Sequence, residues 1–510
     1  MTAATLRLGA NSYPVVLPSL RDPRLHLAAV IISIHLIGQV GLGFRVSVPQ
    51  ILVAIFSAAL LEAVLAFRRT RQLVWPASAM LTGSGVGLIF RLTEYGGARW
   101  TWQGSYLFAL VAAGSLLSKY VLRFRGTHLF NPSNVGLVLA FLILGSTRAE
   151  PLDFWWGPVS VWLIAAYVII LGGGIIITAR LRLLAMAATF WLTLAIGLGL
   201  LAGSGHCITA AWSVGPVCDA AFWRVVVGSP EILIFLFFMI TDPKTIPSGS
   251  SARIVFAGSL GILCTLLIAP MTTEFAAKVA LLAGLVLLTP LRAVFDRLFG
   301  MDVLLVERLT GPATRPLGIF SRGVVVGAGL VLIGGGVVAA GAPAQKPPQI
   351  LAHTPTIEVE IDRSLLPPVT VEDPETLQSV KQLDPAELAA ALAEALEVER
   401  QAMLKGDQRL LAAADVGQRL AEMRQRLADA IDRNERSGSE YQFDSLTLQV
   451  TFPEGRQGGP SLSLLAQGKL SQVVYDQSGD EKSRETSSFV ATFSMSLEIN
   501  GWRIAQVTSG

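Results

Sequence analysis

The stretch Gly228-Ser-Pro-Glu-Ile-Leu-Ile-Phe-Leu-Phe-Phe-Met-Ile-Thr-Asp-Pro243 is apolar through its middle, yet Pro230 opens it and Pro243 closes it. Proline lacks a backbone donor and clashes with the preceding helical turn. The stretch therefore reads as a short, interrupted membrane helix with polar ends. A second stretch of the same kind, Pro76-Ala-Ser-Ala-Met-Leu-Thr-Gly-Ser-Gly-Val-Gly87, carries Gly83, Gly85 and Gly87 at a spacing of two. Around them lie apolar runs near the length of about 20 residues that crosses a bilayer. They place eleven spans at roughly 26–44, 48–67, 76–92, 104–121, 131–146, 155–176, 182–202, 225–241, 254–270, 275–295 and 322–341. The interrupted segments are the third span of the first five and the third of the next five. Five spans per half gives the halves opposite orientation, and paired broken helices at matching places point to a transport pathway. Chance is the competing explanation, since Gly and Pro are frequent in membrane helices.

Composition agrees with a membrane body. Of 510 residues, 52% are hydrophobic and 15% charged, with a mean hydropathy of +0.56, against about 25% charged in soluble domains. A wholly soluble enzyme, a nucleic-acid binder and a disordered chain are excluded. Residues 1–340 hold 24 Lys and Arg against 12 Asp and Glu, a net +12; residues 341–510 hold 16 against 25, a net −9. Two chemically different objects share the chain. No cleavable signal peptide is expected, because residues 1–25 are polar and the first span is too long for a signal core.

Basic residues are retained in cytoplasmic loops. With the N-terminus inside, 18 Lys and Arg fall inside and six outside, the six being Arg45, Arg91, Arg99, Arg148, Arg224 and Lys278. The acidic C-terminal third then lies outside the cytoplasm, and the expected location is a bacterial cytoplasmic membrane with a periplasmic C-terminal domain. Cys207 and Cys218 fall in an outside loop where oxidation is permitted. A disulfide there and two free loop thiols both fit. Cys264, in mid-span, reads as a buried inert thiol, and no metal site is expected.

Ionisable residues inside spans are costly and are default candidates for function. Glu62, Lys119 and Glu231 are such residues, each with local interfacial pairing as the alternative. Asp242, in Thr241-Asp-Pro243, sits where the helix must end, beside carbonyls that a carboxylate does not satisfy. It is either a loop cap or part of an ion pathway with Lys244 or Arg253 nearby.

The segment Lys119-Tyr-Val-Leu-Arg-Phe-Arg-Gly-Thr-His-Leu-Phe-Asn-Pro-Ser-Asn134 resembles a signature of the RnfD/NqrB membrane-subunit family. So do Phe237-Phe-Met-Ile-Thr-Asp-Pro-Lys-Thr-Ile-Pro247 with Arg253 and Phe256-Ala-Gly258, and Ser78-Ala-Met-Leu-Thr-Gly83. The resemblance covers about residues 20–300. It implies a ten-helix inverted-repeat subunit, related in shape to small-solute channels, in complexes that couple flavin electron transfer to Na⁺ or H⁺ movement. Pathway candidates carried over or read from the spans are Glu62, Thr82, Gly83, Gly85, Lys119, Asn131, Asn134, Glu231, Thr241, Asp242 and Thr245. Family members carry FMN joined to Thr in a Ser-Gly-Ala-Thr-like motif. The matching loop here, Ser146-Thr-Arg-Ala-Glu-Pro-Leu-Asp-Phe154, has no such motif, and Thr310-Gly-Pro-Ala-Thr314 is a decoy on the cytoplasmic side. The chain is most similar to divergent, flavin-motif-less members such as the enediyne-cluster type. No covalent cofactor is expected, which leaves room for a flavin held without a covalent link.

Residues 342–380 are Pro-rich and read as an extended linker. A helix start follows at Asp384-Pro385 with Glu387, and Leu388, Leu392, Leu396, Val398 and Met403 recur at helical spacing up to Gly406. Leu410 to Ile431 supplies one or two more helices. Strands follow around Tyr441–Val450, Leu462–Tyr475 and Phe489–Leu497, and Asn500-Gly501 reads as a hairpin turn into Trp502–Val507. Helices before a curved antiparallel sheet resemble the nuclear-transport-factor-two-like fold. The Trp502-Arg-Ile-Ala ending and the Lys405-Gly-Asp407 turn look like its plastid-division branch. His353, the tail's single histidine, lies in the linker, and no nucleophile–base pair is visible.

The expected organisation is therefore a transmembrane domain over 1–300 and a cytoplasmic loop with an eleventh span over 301–341. A linker over 342–380 leads to an extracytoplasmic α+β domain over 381–510. The expected function is transmembrane transport or ion translocation within a redox-linked membrane complex, not catalysis by the chain alone. The alternative is a membrane anchor that displays a protein-binding domain. Expected partners are the bilayer, other membrane subunits and a protein ligand of the C-terminal domain, with no nucleic acid.

Overall fold

The computed structural model describes residues 4–8, 11–19, 22–93, 98–124, 126–299, 331–345, 359, 361–380, 383–433, 435–453, 455–475, 481–498 and 501–509. The decoy segment 310–314, His353 and Asn500 lie outside them. The chain forms two compact units. One comprises residues 1–208 and 217–346, the other residues 209–216 and 347–510.

The first unit is helical. After a small sheet of β1 (Ala4–Leu8), β2 (Asn11–Val16) and β3 (Leu73–Val74), its first half holds five helices. They are α1 (Pro23–Val40), α2 (Val48–Thr70), α3 (Ala77–Ile89), α4 (Ser105–Val121) and α5 (Pro132–Leu144). The second half holds α6 (Val161–Arg180), α7 (Leu184–Gly203), α8 (Asp219–Gly228), α9 (Pro230–Ile234), α10 (Ser250–Ile268), α11 (Glu274–Leu288) and α12 (Arg292–Phe299). A short helix α13 (Val331–Ala340) closes the unit. Starts are set by local chemistry. Asp22 accepts from the Arg24 amide, and Ser47 and Gln50 form a reciprocal capping box.

Seven helical segments among the described residues are long and apolar enough to cross a membrane. The expected third and fifth spans are shorter than that. α3 and α5 have 13 residues each, and at about 1.5 Å per residue each falls short of the bilayer core of about 30 Å. Both continue instead into buried strands, β4 (Phe90–Leu92) and β7 (Ala149–Pro151), which pair antiparallel with Arg91 opposite Glu150. The expected span at 225–241 is also not one helix. α8 ends at Gly228, Ser229 caps α9, and Phe235–Met239 continues as a π-helix, with the Ile240 amide reaching back to the Phe235 carbonyl at 3.1 Å. Such π segments are rare and favour functional sites. Of the eleventh span, residues 331–340 are described.

Packing in the two halves follows one plan. α1 packs on α3, α2 on α4 and α4 on α5; five helices later, α6 packs on α9, α7 on α10 and α10 on α11. The halves meet through α1 with α6 and α5 with α11. Small residues permit these approaches. A side chain at Gly83 would collide with the Ala54 carbonyl of α2, and one at Gly136 would collide with Ser115 of α4. Cys207 and Cys218 face each other on strands β8 (Cys207–Ile208) and β9 (Val217–Cys218) and are joined in a disulfide. Cys264 is buried and free.

The second unit is α+β. Its five-stranded sheet has the order β10 (Val369–Val371), β11 (Arg436–Thr451), β12 (Ser461–Tyr475), β13 (Glu481–Glu498) and β14 (Gly501–Ser509). All pairs are antiparallel except β10 with β11. Helices α14 (Pro374–Ser379), α15 (Pro385–Lys405), α16 (Gln408–Ala414) and α17 (Gly417–Asp432) complete it. Leu388, Leu392 and Leu396 of α15 bury against Leu446, Leu448, Leu462, Leu464, Phe493 and Ile504. The expected linker is corrected at its end. Val369 and Val371 pair with Leu446 and Leu448, so residues 369–380 belong to the folded unit. Gly501 is already paired with Glu498 in the last strand, and Asn500, its companion in the expected turn, lies outside the described residues.

Candidate functional site

The break before α9 is built from side chains that satisfy the interrupted backbone. The Ser229 hydroxyl accepts from the Ile232 amide at 3.1 Å. Tyr167 donates to the Gly228 carbonyl at 2.7 Å and Trp191 to the Val227 carbonyl at 3.3 Å. Pro230 at the first helical position gives up a donor that would have no partner there. The next residue, Glu231, is buried at 4% exposure, and its Oε2 has no hydrogen-bond partner among the described residues.

Glu231 lies in the electrostatic field of Lys278, Glu274, Asp153 and Arg91. Lys278 Nζ is 3.0 Å from Glu274 and 3.6 Å from Asp153, and it donates to the Pro151 carbonyl at 3.3 Å. Glu274 in turn accepts from the Phe154 amide at 2.7 Å. Arg91 Nη1 donates to the carbonyls of Phe90 at 2.8 Å and Gly87 at 3.2 Å, and its guanidinium lies over the Phe44 ring. Arg91 Nη2 has no partner among the described residues. Next to this group Arg45 pairs with Glu150 at 3.3 Å. Asp153 is a third exposed, so the buried members are two acids, Glu231 and Glu274, and two cations, Arg91 and Lys278, in an interior where an unpaired charge is costly.

A second polar junction joins the two segments that carry the family resemblance. His128 Nε2 lies 3.3 Å from Asp242, and Asn131 donates to the Met239 carbonyl at the end of the π-helix at 3.3 Å. Asn131 also caps α5, and Asn134 donates to the Leu282 carbonyl at 3.0 Å. Asp242 accepts from the Lys244 amide at 3.1 Å, and the hydroxyls of Thr241 and Thr245 donate to the carbonyls of Phe237 and Asp242. Arg292 donates to the Thr127 hydroxyl and the Lys244 carbonyl. Asp242 thus has the contacts of a loop cap. α5 begins at the end of the broken helix of the second half, whereas α11 meets β7, the strand that follows α5, through Lys278 and the Pro151 carbonyl.

The remaining sequence candidates have local duties. Lys119 pairs with Glu62 at 2.9 Å, and Tyr120 donates to the same carboxylate at 2.7 Å. Glu62 therefore does not turn to the Arg68 cluster. Thr82 donates to the Ser78 carbonyl within α3, Gly83 admits α2, and Gly85 lies beside Ser133 of α5. Arg91 and Lys278 fall within expected spans and count to the outside in the expected orientation; both are buried at 3% exposure. Sequence reasoning passed over them with Glu274. The one available signal was the four-residue spacing of Glu274 and Lys278, which allows an ion pair on one helix face.

In the loop 146–154, Ala149–Pro151 is buried strand and the Phe154 amide is committed to Glu274. Among the described residues, no group of three or more His, Cys, Asp or Glu could hold a metal ion.

No protein-family model and no curated protein matches this chain. Among solved structures, one titled "Crystal structure of intermembrane space region of chloroplast protein ARC6" is similar at 13% identity with a TM-score of 0.21. The match covers 25% of this chain and 97% of that one.

Proposed function

We propose that this chain is an ion-translocating membrane subunit of the RnfD/NqrB type, built as an inverted repeat. Its ion passes between the two halves and rests at Glu231. The observation that carries this reading is the buried Glu231 Oε2 at a helix break, without a hydrogen-bond partner among the described residues and in the field of Lys278 and Arg91. A fold that needed only stability would not retain such a group, because an apolar side chain of similar volume is no less stable there. The three helix pairings that recur from the first half to the second support the inverted repeat. The three-to-one excess of Lys and Arg in the inside segments supports an inside N-terminus and a periplasmic C-terminal unit in a bacterial cytoplasmic membrane. The subunit works within a larger membrane complex, and the C-terminal unit binds a protein there.

The deciding experiment replaces residues 1–340 with an unrelated multi-pass anchor in the native host. The proposal expects loss of complex-dependent cation flux in membrane vesicles while the C-terminal unit stays displayed. Retained flux would contradict it and leave the chain as a display anchor. A flavin, if the complex uses this subunit for one, is not covalently attached. In-gel fluorescence after denaturation should show no band at 54.4 kDa, and a fluorescent band would refute that point.

A further inference from the structure

The second unit holds a buried charge cluster with no part in ion passage. Arg419 of α17 makes a two-pronged pair with Glu399 of α15, Nε and Nη2 each 2.7 Å from a carboxylate oxygen. Both residues are buried, at 4% and 3% exposure. Beside them Asp415 is fully buried at 0%, and neither of its oxygens finds a donor among the described residues. The Glu399 carboxylate, held by Arg419, adds like charge to its surroundings. A fully buried carboxyl with no donor keeps its proton.

The groups facing Asp415 from each neighbouring element are few. α15 presents Glu399, α17 presents Arg419, and β11 presents Tyr441, whose electrostatic neighbours are Glu399 and Arg419. β14 contributes the backbone of Ile504. One cation faces two acids. Asp415 also sits at a joint. It ends α16, its amide bonds the Leu411 carbonyl at 2.8 Å, and the Val416 amide bonds the Ile504 carbonyl at 2.9 Å, after which α17 begins.

We infer that Asp415 keeps a proton in the folded unit, and that this proton is a pH-sensitive clasp fastening α16 and α17 to β14. With the proton in place the cluster is neutral and the joint is closed. Without it two negative charges meet one guanidinium in a dry interior, and the joint opens.

Burial and the neighbouring Glu399 push the Asp415 carboxyl up to about 10, from an ordinary value of 3.8. Between these two values the closed joint holds a proton that the opened one releases. Closure is therefore strongest in acid and weakens as pH rises, by about tenfold per pH unit for a single proton.

The test is hydrogen exchange on the full chain in detergent micelles, followed at residues 411–419 and 502–508 and corrected for intrinsic exchange, from pH 6.5 to 8.5. Opening at the joint should rise about a hundredfold over this range in the wild type, and Asp415→Asn should flatten the profile. Glu399→Gln, which removes the facing carboxylate, should flatten it as well and serves if the Asn variant does not fold. Infrared spectra at neutral pH should show one protonated carboxyl band lost in Asp415→Asn. A pH-independent wild-type joint, an unchanged slope in the variants, or loss of an ionised carboxylate band instead would overturn the clasp.

Discussion

The two units each bury a small set of charges, and the sets differ in how they are finished. Around Arg419 the guanidinium binds Glu399 through two parallel bonds, and the extra acid, Asp415, lies against Glu399 at the joint of two helices and a strand. Around Lys278 the ammonium is divided between Glu274, Asp153 and the Pro151 carbonyl, and a further acid, Glu231, starts a broken helix with an oxygen unpartnered. The first arrangement closes on itself with a proton. The second leaves its open valence where two helical halves meet. A buried carboxyl without a donor therefore serves fastening in one unit and, in our reading, passage in the other.

Removing the cation from either set should hurt most. Lys278→Met leaves Glu231, Glu274 and Asp153 against Arg91 alone, and a broken buried pair costs about 3–5 kcal/mol. Little folded protein should reach the membrane, as read by detergent-solubilised yield and thermal midpoint. A normally stable variant would mean that the cluster is hydrated and open. Arg419→Met should lower the midpoint of the second unit's unfolding by a loss toward the low end of that range, about 3 kcal/mol, since a proton can neutralise one of the two acids left behind. An unchanged midpoint would dissolve the contrast between the two sets.

Smaller effects sharpen it. Asp242→Asn keeps the bond from the Lys244 amide, so flux should stay within about twofold, a change under ~0.5 kcal/mol in barrier. A tenfold loss would move the pathway to the His128–Asp242 junction. Glu62→Gln turns a part-buried ion pair with Lys119 into a neutral contact and should cost about 1 kcal/mol, with no change in flux. A flux defect there would shift attention to the α2–α4 interface.

How much of this could be read in the chain depends on what each residue answers to. Asp384, Pro385 and Gly406 bound a helix by local chemistry alone, and the helix runs Pro385–Lys405 with Gly406 left-handed at its end. Pro230 marked the break before α9 in the same local way. Arg91 and Lys278 answer to distant partners. Arg91 is buried because β4 pairs with β7, where it lies opposite Glu150, 59 residues on and set only by the fold. Lys278 is buried because Asp153 and Pro151 come to it from another helix connection. Hydropathy placed both inside spans without their partners. Val369 and Val371 were hidden among prolines for a related reason, since a strand at a sheet edge is recognised by its partner, here Leu446 and Leu448.

The central claim is that Glu231 is where the ion rests. Its most direct test is cation flux through the assembled native complex in membrane vesicles, with Glu231→Gln compared against Glu62→Gln. The amide keeps the size and removes the charge. Flux should fall tenfold or more in Glu231→Gln, the scale of a lost contact of ~1.4 kcal/mol, while assembly is intact and Glu62→Gln conducts like the wild type. Equal flux in the two variants, with Glu231→Gln correctly assembled, would contradict the account.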